Sequence, residues 1–181
     1  MGDMGRPFTV DDLDFMPDDG NVYELIDGVL IVSPTPGRRH QRALDRVVSL
    51  LDSACPNELL VLWPPCVVQP DDWTELRPDA QVAWADDLDG DIVVDAPVLV
   101  VEIVSPSTEI NDLNNKKAAY QRMGVLHYWL LDPAQPSLVA YRLVEKRYRE
   151  VTTVRAEEEF ATSDPFPLRV VLTELLGRPA S

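Results

Sequence analysis

Apolar residues recur along this chain in two rhythms, one near two residues and one near 3.6, and their alternation lays out the elements. Residues 9–16 predict a short helix capped by Thr9, with acids in its first turn. Between residues 22 and 33 two apolar runs flank Asp27-Gly28, the signature of a two-residue hairpin turn, and Pro34 and Pro36 end it. From 37 to 54 the positions Ala43, Leu44, Val47, Val48, Leu50 and Leu51 keep helical spacing until Pro56 closes the segment. Residues 59–69 and 77–84 read as strands joined by a polar turn, and 86–95 as an acidic loop. The β-branched run 97–104 fits a strand buried on both faces. Ser105-Pro-Ser-Thr108 turns the chain into a helix over about 111–123 that stops at Gly124. A buried strand at 127–131, a hairpin from 138–143 and 148–154, and a short apolar tail at 168–176 complete the order. The sum is an α/β chain: a mixed sheet flanked by helices, with additional β-hairpins.

Composition narrows this picture. A length of 181 residues with 45% hydrophobic content fits a single globular domain over 1–181. No apolar run approaches bilayer length, and no basic segment precedes an apolar stretch at the start. Cys55 and Cys66 form no CxxC and are expected as buried thiols in a reducing compartment, so a cytoplasmic location is expected. Two histidines and these cysteines offer no zinc ligand set, and no phosphate-binding glycine loop or nucleophile elbow occurs. The net charge of −15 would repel nucleic acid at long range, so any such partner requires a local basic patch or a divalent cation.

Glu102 is the anomaly, a carboxylate inside the most apolar run of the chain. Such a group is rarely buried unless it is paired or bound to metal. Asp79 opens the neighbouring strand, and two carboxylates on adjacent strands suit a hard cation such as Mg²⁺ or Mn²⁺, with the Ile103 carbonyl as a further ligand. Alternatively, both acids are strand-end charges paired with Arg77 or Lys116. Asp112, Lys116 and Tyr120 share a helix face at i, i+4 and i+8. Lys116 is then either the partner of an exposed Asp112 or an ammonium beside the metal, oriented by Asp112. Glu24, an acid within an apolar strand, either completes the metal shell or pairs with Lys116. His40 opens a basic stretch with Arg38, Arg39, Arg42 and Arg46, which is either a phosphate contact at a helix N-terminus or a solvated helix face.

Taken in order, Tyr23-Glu-Leu-Ile-Asp-Gly28, Ser33-Pro34 with His40, Arg77-Pro-Asp79, Val101-Glu-Ile-Val-Ser-Pro-Ser-Thr108, Asp112…Lys116…Tyr120 and the segment from Gly124 to Pro133 resemble the Uma-type restriction-endonuclease family of the PD-(D/E)XK superfamily. The resemblance covers about residues 8–141. It implies a restriction-endonuclease-like core and makes Asp79 and Glu102 the metal-binding acids. It places Lys116 in the role of the signature lysine, which usually lies two residues after the second acid, where Val104 stands here, and makes Glu24 the additional acid. Leu126 and His127 stand where the family pattern commonly has Pro and Glu. They lie apart from the expected metal site, among surface contacts.

Two functions are open to such a chain. One is a Mg²⁺- or Mn²⁺-dependent endonuclease acting on nucleic acid, DNA before RNA. The other is a non-catalytic or regulatory protein on the same fold, using its acidic surface for a protein partner. A homodimer is compatible with both, and no membrane association is expected.

Overall fold

The computed structural model describes residues 6–104 and 112–176, the side chains of 112 and 113 apart. Helix α1 (Val10–Leu13) leads into the hairpin β1 (Asn21–Ile26) and β2 (Val29–Pro34). Its turn places Asp27 at φ 51° and Gly28 at φ 78°, the left-handed geometry a two-residue hairpin demands. Helix α2 (Arg38–Ala54) follows, then β3 (Leu59–Leu62), β4 (Val67–Asp71), β5 (Thr74–Leu76) and β6 (Ala80–Trp84). Two-residue strands β7 (Leu88–Asp89) and β8 (Ile92–Val93) precede β9 (Leu99–Ile103). A π-helical turn, Asp112–Lys116, runs into α3 (Lys117–Met123), which ends on left-handed Gly124. The chain then forms β10 (His127–Asp132), β11 (Ser137–Val144), β12 (Arg147–Arg155), β13 (Glu159–Thr162), β14 (Leu168–Val171) and α4 (Leu172–Leu176).

Two six-stranded sheets result. One runs β2-β1-β5-β4-β8-β7 and the other β12-β11-β10-β9-β6-β3, while β13 and β14 pair separately. In the second sheet β9 and β10 are parallel and their other neighbours antiparallel. The expected mixed sheet with flanking helices is present, and β9 is buried at every position. Its odd residues, Leu99, Val101 and Ile103, join Ala43, Leu44, Val47 and Leu51 of α2 in the larger core. Val100 joins Ile26, Leu76, Tyr120 and Tyr128 in a second core, on the face toward β1 and α3. Alternation places Glu102 on that second face.

Several expectations are corrected. The single strand anticipated over 59–69 is two strands in different sheets, because Pro64 and Pro65 lack the N–H groups that would continue a ladder. The strand expected from residue 77 begins at Ala80, after the separate short β5. The acidic loop at 86–95 holds β7 and β8. Cys55 and Cys66 are unpaired but only partly buried. His127 is buried, not a surface residue, with its Nε2 3.2 Å from Asp164. The turn at 105–108 and the contact expected from Asp112 to Lys116 fall outside the described residues. No helix among the described residues is long and apolar enough to cross a membrane.

Candidate active site

Residue Glu24 lies on β1, on the same face as Ile26, and points into the layer between the two sheets. Its Oε1 accepts a hydrogen bond from the Arg77 N–H at 2.7 Å and an ion pair from Lys116 Nζ at 2.9 Å. The same ammonium reaches Glu102 Oε1 at 3.3 Å, and the Tyr120 hydroxyl donates to that oxygen at 2.7 Å. Glu24, Glu102 and Lys116 are 2%, 8% and 4% exposed, so this is an ion-pair network inside the protein rather than on its surface. Lys116 is therefore not the solvent-exposed residue that the first of its two accounts requires.

On β6 and β9, Ala80 stands opposite Val101. Continuing that register sets Pro78 opposite Ile103, and a proline has no N–H to offer the facing strand. That leaves the Ile103 carbonyl without a ladder donor, while the Ile103 N–H is taken by the side chain of Asp79. Its Oδ2 accepts from the Ile103 N–H at 2.7 Å and from His40 Nε2 at 3.0 Å. A strand residue sends its N–H and C=O toward the same edge, so the Ile103 carbonyl also faces the Asp79 side.

Asp79, Glu102, Ile103, Glu24 and Lys116 all line one cavity of about 380 Å³. Burial pushes the Glu102 carboxyl up to about 8, the Lys116 ammonium opposes this, and the Asp79 and Glu24 carboxylates add to the rise. Tyr120 is held well above the ordinary phenol range, first by burial and then by the charges of Glu102 and Glu24, so it remains a neutral donor.

Two carboxylates and a backbone carbonyl at one cavity form an all-oxygen set that suits Mg²⁺ or Mn²⁺. The Tyr128 hydroxyl and His40 Nδ1, on two residues of the same lining, are buried without a hydrogen-bond partner among the described residues. Among the described residues no group of three or more His, Cys, Asp or Glu side chains forms a ligand cluster. The set fits a site that relies on two acids, not one caged by protein.

The partners of three residues at the site are not legible in the sequence. His40 is 6% exposed and bonded to Asp79, which removes it from the solvated face considered for it. Its spacing from Ala43, Leu44, Val47 and Leu51 is the helical signal that could have placed it inside. Tyr120 was aligned with Lys116 but given no partner. Tyr128 carried no signal beyond an aromatic in a buried strand.

The architecture is that of a restriction-endonuclease-like protein. A crystal structure described as "a putative nuclease belonging to DUF820" from Anabaena variabilis matches with a TM-score of 0.77 at 19% identity, covering 94% of this chain and 98% of that one. The chain belongs to the Uma2 family, whose model, described as "Putative restriction endonuclease", matches residues 10–174. No curated protein matches it.

Proposed function

We propose that this protein is a Mg²⁺- or Mn²⁺-dependent nuclease that hydrolyses phosphodiester bonds of nucleic acid, DNA before RNA. The observation that carries the reading is the shared cavity, which Asp79 and Glu102 both line beside the buried Lys116–Glu24 pair. Asp79, Glu102 and the Ile103 carbonyl hold the cation, which when bound supplies Lewis acidity toward the phosphoryl group. His40 and the Ile103 amide fix the Asp79 carboxylate. Lys116 stabilises the charge that builds on the phosphoryl oxygens, while Glu24 and Tyr120 hold the ammonium and Glu102 in place. Attack by water forms one P–O bond as another breaks; the water gives up a proton and the departing oxygen takes one up, so the step balances.

A cleavage assay over DNA and RNA, single- and double-stranded, with either metal tests the reading. Cleavage that disappears on chelation and in Lys116→Ala is expected. A protein that cuts none of these, or a variant that cuts as well as the parent, removes it.

One observation favours the alternative of a non-catalytic binding protein. Lys116 lies between Glu24 and Glu102 and pairs with both carboxylates, as in a buried structural ion-pair network. Calorimetry with Mn²⁺ separates the two readings, since a structural ion-pair network takes up no cation.

A further inference from the structure

Trp63 lines the same cavity as Asp79 and Glu102 yet is 48% exposed, whereas Lys116 at its floor is 4% exposed. The indole therefore belongs to the rim of a recess whose reactive groups lie below the surface. It sits at the start of a turn closed by the Cys66 N–H on the Trp63 carbonyl at 3.1 Å, with Pro64 and Pro65 between them. Two prolines fix their own φ angles, so the ring is presented on a stiff support. Pro34, Pro36 and Pro64 add apolar surface to the lining, and Arg77, 41% exposed, adds a cation.

We infer, on the nuclease reading above, that Trp63 is a base-stacking platform and that the substrate is a single strand, or an unpaired end, which lowers one nucleotide into the cavity. Three features argue for this occupant. A volume of about 380 Å³ lies at the low end for small-ligand pockets, enough for one nucleotide. The side chains of Asp79 and Glu102, 16% and 10% exposed, lie below the surface, where a flexible single strand reaches more readily than a stiff duplex does. A duplex binder also tracks the backbone with a basic face, which a chain of net charge −15 is poorly equipped to supply. A single strand can use an aromatic face in place of much of that electrostatic attraction, because every base has a π-face.

The test compares wild type, Trp63→Ala and Trp63→Phe with matched single-stranded and duplex oligonucleotides, by steady-state cleavage and by intrinsic fluorescence titration. Wild type is expected to favour the single strand by about tenfold or more in kcat/KM. Trp63→Ala should raise KM for it by about tenfold with kcat little changed, and Trp63→Phe should restore most of the loss. Quenching of wild-type fluorescence by the single strand should be absent in Trp63→Phe, although Trp73 and Trp84 remain half exposed. Should Trp63→Ala fail to fold, the phenylalanine variant carries the test through the lost quench at retained affinity. Equal cutting of duplex and single strand, or an unchanged KM in Trp63→Ala, overturns the inference and leaves the nuclease reading standing. If no oligonucleotide is bound or cut, both fall.

Discussion

At the scale of single residues the site is a problem of buried charge. Glu24 and Glu102 are carboxylates with almost no solvent, and Lys116 joins them. Removing one partner of a buried pair leaves the other charge uncompensated, at a cost of about 3–5 kcal/mol. Lys116→Ala should lose stability on that scale in denaturant titrations, and on the proposed function its cleavage rate should fall by about 10²–10³-fold. The Glu102 carboxyl, raised to about 8 from 4.5, makes a pH prediction with a definite sign. Between those values the unfolded chain has shed this proton and the native protein keeps it, so the unfolded state binds fewer protons and stability falls as pH rises. Glu102→Gln should flatten that slope in melts across the window. A cation must displace the proton, so Mn²⁺ affinity by calorimetry should rise by up to about tenfold per pH unit and level off above pH 8. His40→Ala takes one donor from Asp79 and should lower that affinity by about 10- to 100-fold, measured with no substrate present.

At the scale of elements, each functional side chain is placed by a different local device. Glu24 depends on the β1–β2 turn. A Cβ on Gly28 would come within 2.7 Å of Pro7 Cβ, and the residue sits at positive φ. Gly28→Ala should therefore destabilise the protein by about 1–3 kcal/mol in thermal melts, although the glycine touches nothing in the cavity. The devices that announce themselves locally were legible in advance: Asp27-Gly28 for the hairpin, the apolar run with one acid for β9, Gly124 for the end of α3. The elements that depend on distant partners were not. β5 is three residues long and exists because it bridges β1 and β4, and β13 pairs only with β14. Much the same holds for the site. Glu102 and Asp79 stood out as acids in strands, and Lys116 by its place on a helix face. That His40 faces Asp79 depends on how α2 packs across the sheet, which local patterning does not encode.

For the whole molecule, charge is the dominant quantity. With 31 acidic against 16 basic residues, association with nucleic acid cannot draw on a broad positive field. If binding rests on stacking and on the cations at the cavity, chiefly Lys116 and Arg77, few counterions are released. The slope of log affinity against log salt for a single strand should then have a magnitude of about 1 to 2, from about 0.7 per neutralised phosphate. A steep dependence would point to an extended basic track elsewhere on the surface.

The ion-pair network has one more consequence. Its members come from a strand of one sheet, a strand of the other and the helical turn between them. Neither sheet alone can assemble it, so the arrangement exists only while the two sheets are docked. On the proposed function, chains still being folded, or partly melted by heat, would be harmless to any polynucleotide nearby. On warming, the loss of hydrolysis should precede the loss of circular dichroism from either sheet.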